Sequence, residues 1–558
     1  MKFMKLGTRA DTFYTEESTR TVISDVPSDL TIRINNITFL LHKYPLLPKC
    51  GLLQRLYTES DDASNVTLNL DDIPGGGEAF ELCAKFCYGI SINLSAHNYV
   101  SAFCAAKFLR MTEAVENGNF VMKLEAFFSS CILEGWKDPI VALQNTGSVY
   151  EWSENLGIVR RCIESIVDKI LTPPAKVAWS YTYTRPGYEK KRHQSVPKDW
   201  WTEDISFLDI DIFRCILAAI KSTNILQPQL VGESLHVYAC RWLPDITQDR
   251  PQNECSTSTT RVEEQRKILE TIVGLIPADK GSVSIKFLLK LLSFSNLITV
   301  STVTKAELLR LSGLQLEEAK VSDLVISGSD NRTVFNDVDL VKTVLESFLR
   351  QWRRQRPEDG NLRSIRKVGK LIDSYMQVVA KDANVPVGKV ASLAETMPGI
   401  GRPNHDDLYV AIDVYLKEHP DISKTDKKQL CRALDCQKLS PEVRAHAVRN
   451  ERLPLRTVVQ VLFFEQEKNN NTTTTTNKKQ ISPDQLIDRQ QPAVTKDELQ
   501  SANGAFQKGR GHKLELRPEP SFKMEKGKEI RDERVSSGIQ LSSREKALVR
   551  RISDKAQT

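Results

Sequence analysis

The sharpest chemical signal in the 558-residue sequence lies five residues from its end, at Arg550-Arg551-Ile552-Ser553. Two guanidinium groups upstream of a hydroxyl form a pattern that basophilic kinases read, because the arginines can pair with acidic groups around a kinase cleft. Phosphorylation of Ser553 would add roughly −1.5 to −2 charges and three acceptor oxygens. From Lys508 to Thr558 there are fourteen Lys/Arg against eight Asp/Glu, so the chain's net charge of +6 falls in this tail and the remainder is balanced. That suits an anionic partner such as lipid headgroups or a phosphorylated protein, and it argues against a nucleic-acid-binding surface on the folded part. Since each basic residue near an anionic membrane contributes about 1 kcal/mol, one phosphate could exchange a membrane for a protein partner. The plainer reading is a basic tail in which the pattern has no role.

Other residue groups point away from catalysis. Eleven cysteines are scattered without a Cys-x-x-Cys pair, as expected for reduced thiols in the cytosol or nucleus. Cys83 and Cys87 share a helix face and read as core. Cys431 and Cys436 fall about 140° apart round a helix, a poor arrangement for joint ligation even with His446 downstream, so no metal is expected. Gly75-Gly76-Gly77 lacks the Gly-Lys-Ser/Thr of a phosphate loop and reads as a turn before a helix. His405-Asp406-Asp407 sits at a helix start, where acids suit the dipole. No Gly-x-Ser-x-Gly elbow or nucleotide loop appears, so neither an enzyme nor a cofactor is expected.

The elements around these residues fall into distinct stretches. Ser28-Asp29-Leu30-Thr31-Ile32-Arg33-Ile34 alternates as a half-buried strand, Asn35-Asn36 suits a two-residue turn, and Ile37-Thr38-Phe39-Leu40-Leu41 returns. Val66 to Leu70 forms a third short strand, and a helix carrying Phe80, Leu82, Cys83, Phe86 and Cys87 follows the glycines. Leu124 to Leu171 reads as helices anchored by Trp136, Trp152 and Ile163. Thr172 to Lys198 is broken by Pro173-Pro174 and Pro186-Gly187 and reads as a linker or long insertion. From Trp200-Trp201 onward the pattern is all-helical. The paired tryptophans anchor a domain start or, on a second reading, form a partner-binding aromatic patch. The helical pattern closes at Asn450 to Gln466, where Leu455, Val458, Val459, Leu462 and Phe463 define one apolar face; Leu462→Asp there is expected to unfold the domain. No apolar run reaches about 18 residues, so no membrane span is expected. An Asn/Thr run from Asn469 to Asn477 then opens the low-complexity tail.

Two resemblances follow from these blocks. Ser28-Asp29-Leu30-Thr31, Phe39, His42-Lys43 and the helix from Phe80-Glu81-Leu82 to Phe86-Cys87-Tyr88-Gly89 resemble a BTB/POZ domain. Trp200-Trp201-Thr202-Glu203-Asp204-Ile205, His405 to Lys417, Leu430 to Ser440 and Asn450 to Gln466 resemble, in order, the signature blocks of the plant non-phototropic-hypocotyl (NPH) domain. The expected architecture is an α+β BTB/POZ domain (residues 27–125) after a polar extension (1–26), then a helical connection and linker (126–198), a large all-α domain (199–467) and a basic regulatory tail (468–558). The resemblance implies a substrate-recruiting adaptor of a cullin-based ubiquitin ligase in phototropic or auxin-related signalling. Its alternative is a plasma-membrane-associated scaffold without cullin binding. The family's partners would be a cullin, BTB proteins including a second copy, clients of the helical domain, phototropin-type kinases and 14-3-3 proteins, in the cytoplasm or at the plasma membrane.

Specific residues follow from the same resemblance. Tyr57-Thr58-Glu59 stands near the hydrophobic-x-Glu element of cullin docking, or is a solvated helix end. Tyr409 matches a recorded tyrosine phosphorylation position, or is a buried helix tyrosine, and Val410 replaces the basic residue expected after it. Arg550, Arg551 and Ser553 match the phosphorylated element bound by 14-3-3 proteins. Trp200, Trp201, Leu455, Val458 and Leu462 belong to the domain's structural signature.

Overall fold

The computed structural model describes residues 2–59, 66–185, 195–244, 259–325, 334–354 and 359–476. Strands and helices alternate at the N-terminal end, and everything described from Tyr99 to Thr476 is helical or irregular. Among the described residues no helix is long and apolar enough to cross a membrane.

Strands β1 (Phe3–Leu6), β2 (Phe13–Glu16), β3 (Thr19–Val22), β4 (Leu30–Ile34), β5 (Ile37–Leu41), β6 (Val66–Asn69) and β7 (Ile92–Ser95) make two sheets, ordered β2-β3-β5-β4-β6 and β1-β7. The β4–β5 hairpin turns at Asn35, whose φ of 51° is one that a short polar side chain tolerates. Leu30, Ile32 and Ile34 alternate inward, and Phe39 meets Phe80 of the Gly76–Tyr88 helix edge-on at 4.8 Å. The glycine turn takes that helix off the sheet. Gly75 has φ +81°, and a Cβ there would lie 2.7 Å from that of Ala79. Cys83 and Cys87 are buried as core thiols, Cys87 lying 3.8 Å from Cys50.

Three expectations need correction. The polar residues before Pro27 are not an extension: β1 pairs antiparallel with β7, and β2–β3 forms a hairpin whose second strand runs parallel to β5. Thr, Arg and Glu on an outer strand hide its pattern, because only one face meets the core. Of the three anchors in the next helices, Trp136 and Ile163 are buried, whereas Trp152 is 38% exposed and rests edge-on against Phe108.

The third correction concerns the closing helix, Leu455–Thr476. Its buried positions Thr457 and Val461 continue a line from Leu453 in the preceding turn, while Leu455 is 79% exposed, Val459 54%, Leu462 40% and Phe463 56%; Val458 is half-buried. The apolar stripe read from spacing therefore faces outward. Thr457, whose hydroxyl meets the Cys431 thiol, supplies the missing inward position, and a polar type there masked the true face. Accordingly Leu462→Asp should cost about 1 kcal/mol or less, as surface changes do. Val461→Asp should unfold the helix from the Pro441–Val448 helix beneath it, because it buries an unpaired charge. Denaturant titration of both variants checks the pair.

Deep in the helical part, Arg402 and Asp373 form an ion pair with each side chain only 3% exposed. Arg402 Nε donates to Asp373 Oδ1 and Oδ2 at 2.9 and 3.1 Å, Nη2 reaches Oδ1 at 2.7 Å, and Nη1 donates to the Ala394 carbonyl at 2.5 Å. The pair ties the Asp359–Val379 helix to the loop before the next signature block.

Candidate functional site

The surface expected to meet a scaffold is built by two short helices, Lys43–Leu46 and Gly51–Thr58. Asp29 Oδ1 accepts from the Lys43 backbone N–H at 2.8 Å and fixes the first of them. The Tyr57 ring is half-buried against the core and covered by Lys43 Nζ at 5.0 Å from its centroid. Glu59 is exposed and pairs with Arg55 at 3.4 Å. Beside them Tyr44 stands 88% exposed. Sequence reasoning passed over Tyr44, because a single exposed aromatic leaves no periodic signal.

The paired tryptophans are packing residues. Trp200 and Trp201 are 1% and 0% exposed. Trp200 lies 4.5 Å from Trp136, 5.6 Å from Trp179 and 5.7 Å from Tyr181 between ring centroids. The acids that follow hold the stretch read as a linker. Asp204 Oδ2 accepts from Trp136 Nε1 at 2.6 Å and from the Thr182 N–H at 3.1 Å, Glu203 accepts from the Thr184 N–H at 2.9 Å, and Arg185 reaches Asp199 at 2.7 Å. Residues 177–185 thus form a strap over the joint between the N-terminal helices and the all-α part. Its Pro and Tyr content suggested a free linker, since the backbone N–H groups that carboxylates hold leave no trace in side-chain pattern.

The other three signature blocks meet one another. His405 Nδ1 accepts from the Asp435 N–H at 3.1 Å, the His405 N–H donates to the Lys438 carbonyl at 3.1 Å, and Asp406 Oδ1 accepts from the Ser440 N–H at 2.9 Å. Asn450 Nδ2 donates to the Tyr409 hydroxyl at 3.1 Å and to Asp413 Oδ1 at 2.6 Å, and Arg452 Nη2 reaches the same carboxylate at 2.9 Å. Tyr409 is 3% exposed, with its hydroxyl 2.7 Å from His446 Nδ1. Burial raises that hydroxyl above its ordinary pKa, against the Asn450 amide that donates to it. These groups are structural knots. Polar residues in signature blocks suggest chemistry, yet here their partners are backbone N–H groups and one another.

His405 carries a pH dependence. Burial, reinforced by Lys438 and Arg402, lowers its pKa from 6.5 to about 4. A proton on Nδ1 would also face the Asp435 N–H that it now accepts. The unfolded chain therefore binds a proton that the folded chain excludes between these two values. Stability should fall as pH drops below 6.5 and level off below about 4, a loss of about 3 kcal/mol. His405→Gln, compared with the native chain in denaturant titrations across that window, should flatten this part of the profile.

A model described as the NPH3 family matches residues 199–443. The BTB/POZ domain-containing protein At5g47800 of Arabidopsis thaliana is 59% identical over 473 residues, spanning 83% of this chain and 85% of its own length. The chain belongs to the NPH3 family. Other relatives in that plant include the phototropic-responsive NPH3 family protein NPY2, 41% identical over 83% of this chain and 76% of its own, and root phototropism protein 3, 35% identical over 82% and 76%. No solved structure matches the chain. The family match begins at Asp199, where the strap's Arg185 is held, and covers the Trp200 joint and the His405–Ser440 knot. Arg550, Arg551 and Ser553 lie outside the described residues.

Proposed function

We propose that the protein is a non-enzymatic adaptor whose BTB-like unit docks a cullin scaffold through Tyr57, Glu59 and the neighbouring Tyr44, while the helical domain holds a client for ubiquitination. The observation that supports this is the exposed aromatic at Tyr44, next to the Lys43 that covers the half-buried Tyr57; an aromatic anchor framed by charges suits a protein groove. The relatives named for phototropism suggest a light-directed client, and the family resemblance adds an auxin-related one. The tail adds control of place. Ser553, once phosphorylated after Arg550-Arg551 by a phototropin-type or other basophilic kinase, recruits a 14-3-3 protein and leaves an anionic membrane. Tyr409 becomes a kinase substrate only when the knot holding its hydroxyl opens.

Co-purification tests the reading. A cullin should accompany the native full-length protein, and Tyr44→Ala, at an exposed site, should weaken its binding while the melting curve stays close to native, with Tyr57→Phe keeping the packing and testing the hydroxyl. Binding that persists in both variants removes the surface from the docking site. Absence of any cullin leaves the scaffold without ligase activity as the function, and persistence of 14-3-3 capture in Ser553→Ala removes Ser553 from the switch.

A further inference from the structure

Helix Pro228–Trp242 lies in the all-α part, far in sequence from the docking tyrosines, and carries Glu233, His236 and Cys240. Steps of three and four residues place all three side chains on one helix face. His236 Nε2 lies 3.6 Å from Cys240 Sγ, and its Nδ1 lies 3.7 Å from Glu233 Oε1. Arg185 of the strap holds the same Glu233 oxygen at 2.7 Å. The ring is steadied by Phe287, met edge-on at 5.2 Å. The order is nucleophile, base and orienting carboxylate, and Cys240 is exposed where most of the other described thiols are buried.

A second observation supplies the ligand's character. A cavity of about 130 Å³ opens on His236 and Cys240, walled by Ala239, Leu243, Leu291, Phe287 and Phe294. Polar oxidants such as peroxide gain nothing from such walls, whereas an apolar tail does. Lys290 also lines it. No group of His, Cys, Asp and Glu among the described residues is arranged to hold a metal, so the cluster is not a metal-ligand set.

We infer that Cys240 is a covalent modification site for small α,β-unsaturated aldehydes or ketones with an apolar tail, which enter the cavity beside it and are captured with His236 as proton donor. The sulfur lone pair forms a C–S bond to the β-carbon, the C=C π pair moves to the α-carbon, and the His236 imidazolium delivers its proton there. A thioether and a neutral imidazole result, and water reprotonates the ring. The step has no leaving group and needs neither oxidant nor reductant. An imidazolium beside sulfur favours the thiolate, which is the reactive form. The sulfur of Cys240 and then the Glu233 carboxylate push the His236 pKa up to about 9, so the ring carries its proton at neutral pH.

The test uses the full-length protein, (E)-2-hexenal as the probe and iodoacetamide as a small alkylating control, with adducts quantified by peptide mass mapping at neutral pH. Cys131 and Cys215, both half-exposed, serve as internal reference thiols. Cys240 should react with hexenal at least about tenfold faster than either reference, and His236→Gln should slow it by about tenfold, within the range of general acid–base assistance. Leu243→Trp, which fills the cavity, should suppress the hexenal adduct and spare alkylation by iodoacetamide. His236 and Leu243 are not fully buried, so both variants are expected to keep the native melting curve. If His236→Gln melts early, Glu233→Gln carries the comparison, with a threefold or so slowing expected from the loss of the orienting carboxylate. Equal rates at Cys240 and the reference thiols, a rate indifferent to both variants, suppression of the two reagents alike by Leu243→Trp, or an adduct on Lys290 in place of Cys240 would each overturn the assignment.

Discussion

Asp373→Ala should destabilise the helical domain by about 3–5 kcal/mol, because it strands the Arg402 guanidinium in the interior. That guanidinium is 3% exposed and would keep only the Ala394 carbonyl among its present partners. The cost comes from the orphaned charge more than from the lost attraction, which makes a second variant informative. Asp373→Leu/Arg402→Met removes both charges and fills the space with apolar atoms, so it should recover most of the loss. Urea titration of the full chain, followed by far-UV circular dichroism, measures both. A loss under about 1 kcal/mol for Asp373→Ala would mean that water reaches the pair.

Trp200→Ala is the second large effect, at about 3–5 kcal/mol for a fully buried indole. Its consequence should be local in a specific way. Trp136, Trp179 and Tyr181 all lean on this ring, so the strap over the joint loses its floor while the Asp373–Arg402 region keeps its own packing. Limited proteolysis should therefore cut first within residues 177–185, before the helices that follow. Asp204→Asn should weaken the same strap by a smaller amount, since the amide oxygen can still accept from Trp136 Nε1 and the Thr182 N–H. Simultaneous cleavage throughout the helical part would show that the joint and the domain behind it unfold together.

Sequence patterning was most informative where one face of an element is buried and the other is wet. The β4–β5 hairpin, the third short strand at β6 and the helix after the glycine turn follow from Leu30, Ile32, Ile34, Phe39 and Phe80 alternating or recurring at the right period. The all-α character from Trp200 onward follows in the same way. Patterning misled where burial is narrow or polar. The edge hairpin β2–β3 contributes Val22 alone to the buried core. The strap is fastened by Asp204 and Glu203 to backbone N–H groups. On the closing helix a threonine occupies the inward line and the leucines face water. At the candidate site, Tyr57 and Glu59 were legible from a short motif, whereas Tyr44 and the Glu233–His236–Cys240 face become visible only when a surface exists around them.

The outer strands also bear on how the N-terminal unit can be isolated. A fragment that begins at Pro27, the boundary that polarity alone suggests, lacks β3 and leaves β5 as the margin of its sheet. Thr38 and Leu40 would then present free backbone N–H and C=O groups along an apolar strand, including the Thr38 N–H now given to the Ser18 carbonyl at 2.8 Å. Such a margin templates strand addition from any neighbouring chain. Oligomers seen with that fragment would report the cut rather than a native assembly, and self-association is best judged on protein that starts before Phe3.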